Sequence, residues 1–297
     1  MHSCGLSINY SIMPTTSIIK PLVGYKGSGY TMTFDGVNDY LTLGHATGLE
    51  FSQTHITNTG FTISGWIYLP GIGLETQSSQ WISIGRSGTS NYYGIHCNLS
   101  AGKPQIHVMG LNGGTAGAGS NNRRSVKSNT QLTRKTWNHV TWVVKGFTPT
   151  DFAANAKIYV NGVSQALTFS GTNASLTVNY FGNSFIGQNG STSPGYIIPS
   201  TLGDITIHAK ELSAAAIGDM YASKSIHKGI DWMLPTGNYT NADVATLKSW
   251  WLMGSPIGPE TYPTIYDEKL LLNGVGYNAT MTNMTSSDIV GPGYYSG

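Results

Sequence analysis

The stretch F-D-G-V-N-D-Y-L-T-L, residues Phe34 to Leu43, decides the fold. Asp35-Gly36 and Asn38-Asp39 supply tight-turn chemistry, and from Tyr40 apolar and polar positions alternate. A second run, F-T-I-S-G-W-I-Y-L, places Phe61, Ile63, Gly65, Ile67 and Leu69 on one face of a strand. A turn feeding a strand, followed by a strand of period two, predicts the opening of an all-β, two-sheet antiparallel sandwich.

Working outward, the next strands are Trp81 to Gly85, Tyr92 to Leu99 and Gln105 to Met109, the last two joined by a turn over Ser100 to Pro104. Residues 110–122 read as a Gly-rich loop. Trp137 to Lys145 predicts a central strand, with Val140, Trp142 and Val144 on one face and His139, Thr141 and Val143 on the other. Asn161-Gly162 is a strong hairpin signal, with strands expected at Lys157 to Val160 and Val163 to Thr168. Ser184 to Gly187 and Gly203 to His208 complete the set. The period then changes. Leu212 to Ala222 predicts a short helix with Ser213 as N-cap. Asn241 to Trp251 predicts a second, capped by Asn241, because Val244, Leu247, Lys248 and Trp251 recur at helical spacing. The chain divides into an extended N-terminal arm over 1–29, marked by Pro14, Pro21, Gly24, Gly27 and Gly29, a jelly roll over 30–229, and an extension over 230–297. The extension is expected to pack on the same sandwich, since a segment of this size cannot bury a core of its own.

Composition bounds the function. Charged residues are 10% of the 297, against roughly 25% in an ordinary soluble domain. Neutral hydroxyls and amides therefore cover the surface. A net charge of +2 gives no electrostatic case for nucleic acid or an anionic membrane. The basic pairs Arg123-Arg124 and Arg134-Lys135 read as solvated loops. No apolar run approaches the ~20 residues that span a bilayer. The start M-H-S-C-G lacks the pattern of a signal peptide. Cys4 and Cys97 are too few for a disulfide framework, and Cys97 reads as a small core residue.

The order F-D-G-V-N-D-Y-L-T-L, W-N-H-V-T-W-V-V-K, A-K-I-Y-V-N-G-V, F-I-G-Q-N-G and G-D-I-T-I-H-A-K-E-L-S-A-A-A-I-G-D-M-Y resembles that of laminin-G-like, concanavalin A-like jelly rolls. The resemblance implies a fold shared by lectins, glycan hydrolases, adhesion modules and viral structural proteins. The runs W-W-L-M-G (Trp250 to Gly254), T-Y-P-T-I-Y-D (Thr261 to Asp267) and N-A-T-M-T-N-M-T-S-S-D-I-V (Asn278 to Val290) resemble a tail in structural proteins of tailed bacteriophages. In many laminin-G-like proteins a similar segment precedes the F-D-G strand; here it follows the sandwich, as if permuted. Glu268 to Gly276, E-K-L-L-L-N-G-V-G, departs from the acidic turn usual at that place. The resemblance implies a virion protein assembled in the host cytoplasm, a homo-oligomer whose partners are coat or fibre subunits.

Hydrolases of this fold use two closely spaced carboxylates on one strand. With 14 acids and no Glu-x-Asp-x-x-Glu arrangement, no enzyme activity is expected. His96 and His107 face each other across a hairpin and His139 lies in a central strand, but no H-x-x-x-H or C-x-x-C spacing exists, so these read as structural. Calcium is the candidate ion, with Asp35, Asn38 and Asp39 as its ligands by residue type; the same residues also serve a turn alone. Sugar-binding candidates are Tyr92, Tyr93, Trp250 and Trp251, with Tyr196, Tyr294 and Tyr295 further aromatics, while Trp66, Trp137 and Trp142 read as core. From a helix Trp250 and Trp251 cannot both point inward, so one is expected against another subunit. The expectation is a non-enzymatic structural protein of a bacteriophage virion, as capsid decoration or fibre component. The alternative is a glycan-binding adhesin on a phage tail or cell surface.

Overall fold

The alternating runs become two stacked antiparallel sheets in a computed structural model, which describes residues 30–70, 78–85, 94–112, 123–171, 176–178, 180, 182–188, 199–222, 231–254, 262–273 and 276–290. The expected arm over 1–29 lies outside the described residues. In chain order the strands begin β1 Thr31–Asp35, β2 Tyr40–Gly44, β3 Phe61–Tyr68, β4 Ser78–Ile84, β5 Gly94–Ser100 and β6 Lys103–Asn112. They continue with β7 Arg123–Ser128, β8 Trp137–Val144, β9 Lys157–Val160, β10 Val163–Ser164, β11 Leu167–Gly171 and β12 Leu176–Val178. The last are β13 Ser184–Ile186, β14 Pro199–His208, β15 Leu247–Trp251, β16 Thr264–Ile265, β17 Ala279–Thr282 and β18 Ile289–Val290.

The first sheet runs β10-β9-β8-β3-β14-β1-β18, and the second β11-β7-β6-β5-β4-β13-β2-β17-β16, with β12 beside β6. One edge of β14 is shared. Its start pairs with β1 and its end with β15, while β3 lies along the whole opposite edge. The register shift between Gly203 and Thr206, with Asp204 at a φ of 52°, is where the strand bends from one neighbour to the other.

The core lies between the sheets. Ile63, Ile67, Val140, Trp142 and Val144 come from the first sheet, and Leu41, Ile82, Ile95, Cys97, Ile106, Val108 and Val126 from the second. Trp81 joins them through a bulge between Gln80 and Ile82, and its ring sits 4.5 Å from that of Trp142. Gly65 makes this fit: a Cβ there would lie 2.8 Å from the Trp81 ring. The Asn161-Gly162 hairpin forms, with φ of 52° and 76°. Its second strand is shorter than Val163 to Thr168, however. β10 ends at Ser164 and the chain crosses to the other sheet as β11, so the hairpin serves both layers.

The helix predicted at 212–222 is α3, Ala214–Ala222, following α1 Gln53–Asn58 and α2 Pro149–Asn155; Ser213 Oγ accepts the Ala216 N–H at 3.1 Å. The helix predicted over 241–251 is corrected. Only α4, Asn241–Val244, is helical, and 247–251 is strand β15. Asp243 accepts hydrogen bonds from Thr240 N and Oγ1 and tightens that one turn. Beyond it, Leu247, Ser249 and Trp251 alternate with Lys248 and Trp250, and pairing to β14 imposes period two.

The C-terminal strands enter both sheets: β15 pairs with β14, β18 with β1, and β17 with β2. Between them lies α5, Glu268–Asn273. The outward face of the first sheet is roofed by α3 and the 231–252 segment, which bury Val143, Tyr159, Ile217, Met220, Trp232, Tyr239 and Trp250 in a second apolar layer. No described helix is long and apolar enough to cross a membrane.

Candidate functional site

The pairing register decides which side chains leave the core on the second sheet. Met109, His107 and Gln105 of β6 lie opposite Arg123, Ser125 and Lys127 of β7, and His96 and Asn98 of β5 lie opposite His107 and Gln105. Their neighbours Cys97, Ile106, Val108 and Val126 point into the core, so this row points outward. Ser83 of β4 stands opposite His96, and Phe185 of β13 opposite Ser83. Tyr40 and Thr42 of β2 and Thr280 and Thr282 of β17 continue the face. From β7 to β17 it therefore runs from cations, through imidazoles, amides and hydroxyls, to an aromatic pair and threonines. Tyr40 and Phe185 meet edge to face, centroids 5.9 Å apart.

The middle of this face is buried although it faces away from the core: His96, Asn98, His107, Ser125 and Ser83 are between 0 and 5% exposed. Gln105 Nε2 donates to Ser125 Oγ at 2.7 Å, and Ser83 Oγ to the Gln188 carbonyl at 3.0 Å. Asn98 Oδ1 and His107 Nδ1 find no partner among the described residues. Burial, with His96, Arg123 and Lys127 alongside, holds the His107 imidazole down to a pKa of about 3, so it is neutral, with one donor and one acceptor nitrogen. None of the ten strands of this sheet contains Asp or Glu.

The residues singled out in the sequence fare differently. His96 and His107 are brought together on this face. His139 is on the other sheet, beneath α3, 3.4 Å from Ser64 Oγ and against Trp66. Asp35 Oδ1 accepts the N–H groups of Val37 and Asn38 at 2.7 and 3.2 Å, and Asp39 Oδ2 accepts Asp35 N–H at 2.9 Å. Burial, with Asp35 and Asp288 nearby, raises the Asp39 pKa. Asn38 is exposed, and its carbonyl accepts from Asn283 Nδ2 at 3.0 Å. These three residues form a turn whose carboxylates already take up backbone donors, and no three His, Cys, Asp or Glu of the described residues gather to hold a metal.

Trp250 and Trp251 are corrected as sugar candidates. On a strand they point to opposite faces, Trp251 into the inter-sheet core and Trp250 into the layer under α3, at 0 and 2% exposure. Neither offers a ring to solvent or to another subunit. The Trp250 Nε1 donates to Asp204, as does Trp232 Nε1 at 3.0 Å. Tyr92, Tyr93, Tyr196, Tyr294 and Tyr295 lie outside the described residues. Trp66 is buried, though on the outward face of the first sheet, and Trp137 is only half-buried.

The basic pair Arg123-Arg124 is corrected too. It is not a loop but the start of β7, whose alternation sends Arg123 outward and Arg124 inward over the Phe147 ring, 4.8 Å from its centroid. Sequence reading missed Asn98, Gln105, Ser125, Arg123 and Lys127 because each is ordinary alone; the signal was R-R-S-V-K-S read with period two.

A family model described as the concanavalin A-like lectin/glucanases superfamily matches residues 35–218. Among solved structures, the chain is similar to an inferred carbohydrate binding protein from Bacteroides ovatus ATCC 8483, at 14% identity and a TM-score of 0.52, over 88% of this chain and 59% of that one. It thus spans 59% of the length of that protein. It is also similar to a heptameric SAP-like pentraxin from Limulus polyphemus, at 14% identity and a TM-score of 0.43, over 71% of this chain and 87% of that one. No curated protein matches the chain.

Proposed function

The chain belongs to the concanavalin A-like lectin/glucanase superfamily, and from that premise we propose that it is a non-catalytic recognition module whose second sheet takes up a glycan on its outward face. The observation that carries this reading is the pair of orphaned atoms, Asn98 Oδ1 and His107 Nδ1, buried among neutral hydrogen-bonding groups. An unsatisfied buried polar atom costs about 1–3 kcal/mol, which a bound water or a ligand hydroxyl offsets, and we take the second of these. Amides, hydroxyls and a neutral imidazole each match the paired donors and acceptors of sugar hydroxyls, and the half-buried Tyr40–Phe185 pair gives an apolar ring face a surface to lie on. Asp and Glu are absent from all ten described strands, so the strands do not carry the two carboxylates of a hydrolase, which supports a role in binding and not in hydrolysis. The test is binding of a glycan array by the wild type and by N98A and Q105A variants. Loss of binding by variants that stay folded at the assay temperature is expected, and undiminished binding by both would sink the assignment.

The module's setting is a second reading. We propose that it is displayed on a bacteriophage virion, as a capsid decoration or fibre component, in contact with coat or fibre subunits and further copies of itself. The likeness of residues 250–290 to the tail of phage structural proteins supports this, as does a surface with few charges. A mass-spectrometric inventory of purified virions, with copy number, tests it; absence of the chain from every virion fraction would remove the reading.

A further inference from the structure

The glycan-binding reading leaves the ligand class open, and the charges on β7 narrow it. Arg123, Ser125 and Lys127 stand on one face of one strand, and both cations are only half-buried at the end of the polar row. Both are close enough to His107 to disfavour its protonation. Neither Arg123 nor Lys127 takes part in an ion pair among the described residues. The cations beside the first sheet are matched: Lys145 and Lys157 clasp Glu211, and Lys210 pairs with Asp243, each at 2.6 Å. On the second sheet there is no acid to match, since none of its ten strands holds one. Two cations without an ion pair among the described residues, beside buried polar atoms, are complementary to a ligand carrying both hydroxyls and negative charge.

We infer that this face takes an anionic glycan, with Arg123 and Lys127 holding its carboxylate or sulfate groups while Asn98, Gln105 and His107 meet its hydroxyls. The inference rests on the glycan-binding reading and adds to it a charge requirement. Arg123 supplies a planar fork that matches a carboxylate or sulfate through two parallel hydrogen bonds, and Lys127 a point charge further along the strand.

The experiment measures binding of maltohexaose, hexagalacturonate and sulfated maltohexaose by calorimetry, at roughly 50 and 500 mM salt. The wild type is compared with R123Q/K127Q and with N98A. At low salt an acidic oligosaccharide should bind at least about tenfold tighter than maltohexaose, and the advantage should shrink at high salt. The carboxylate and sulfate arms distinguish which anion is used. R123Q/K127Q should lose the preference for acid, whereas N98A should weaken all arms and keep that preference. Equal binding of neutral and acidic ligands, unaffected by R123Q/K127Q, overturns the charge requirement and leaves the glycan face standing. No binding in any arm overturns both. Should the double variant melt well below the wild type, K127Q alone and the salt dependence of the wild type give the same decision.

Discussion

The Trp81 and Trp142 rings fill the space between the sheets only because Gly65 has no side chain, and this makes three separate residues one packing unit. Trp142 is 0% exposed, so Trp142→Ala should cost about 3–5 kcal/mol through the cavity it leaves. Gly65→Ala should cost about 1–3 kcal/mol by overpacking, since the new Cβ would lie 2.8 Å from the buried Trp81 ring. Urea melts check both, and a loss under about 1 kcal/mol for Trp142→Ala would show that the ring is not what spaces the sheets. The facing of Trp142 was legible in W-N-H-V-T-W-V-V-K because alternation alone fixes it. The orphaned Asn98 and His107 were not legible, because their state depends on the register of β5 against β6 and on what buries an outward face. His107 also makes a prediction about pH. Its folded pKa is held to about 3, against an ordinary value of 6.5. Between those values the unfolded chain takes up a proton that the folded chain refuses, so stability falls as pH drops through that window and is unaffected above it. Melting temperatures from pH 7 to pH 4 should fall more steeply for the wild type than for H107Q; parallel curves would mean that His107 is solvated.

At the scale of elements, the segment from Thr240 to Trp251 shows where local pattern misleads. A tight turn at Thr240 and Asp243 does start a helix, and Val244, Leu247, Lys248 and Trp251 do recur at three and four. The same residues also fit period two from Leu247, and over so short a run the two periods cannot be told apart. The decision comes from outside the segment. The free edge of β14 beyond Asp204 pairs with it, and Asp267 holds its other side. Asp267 is fully buried and its carboxylate accepts the backbone N–H groups of Trp250, Lys269 and Tyr277 at 3.0, 2.9 and 2.7 Å. That one side chain ties β15 to the start of α5 and to the entry of β17. Asp267→Ala would leave these donors buried without a partner and should cost about 3 kcal/mol or more. Asp267→Asn, which keeps one acceptor oxygen, should cost about half as much. If alanine and asparagine prove equally mild in denaturant titrations, the three hydrogen bonds do not hold the tail in place.

For the whole molecule, the question is what the C-terminal strands do for the sandwich. The F-D-G turn sends β1 and β2 into different sheets, so each would end in an open edge; β18 covers the one and β17 the other. Sequence reading had this segment pack on the sandwich but did not place it in both sheets, because sheet membership follows from which edges remain free and no local pattern records that. Ile265, Ala279, Met281 and Met284 bring apolar surface into the same core as Leu41 and Phe34. Burying a side chain the size of Ile or Met is worth about 1.5–3 kcal/mol, so losing these residues removes several kcal/mol from a fold of ordinary stability. It also bares two strands whose unpaired backbone groups would recruit other chains. We propose on these grounds that 230–297 is part of the sandwich and not a separable unit. A chain ending at Gly254, which keeps β15 but loses β16 to β18, should melt at much lower urea and associate on concentration. Limited proteolysis of the full chain should not release a stable fragment ending near residue 254. If that fragment does appear, with the melting midpoint of the intact chain, then the tail is an appendage, and the edges of β1 and β2 need no cover.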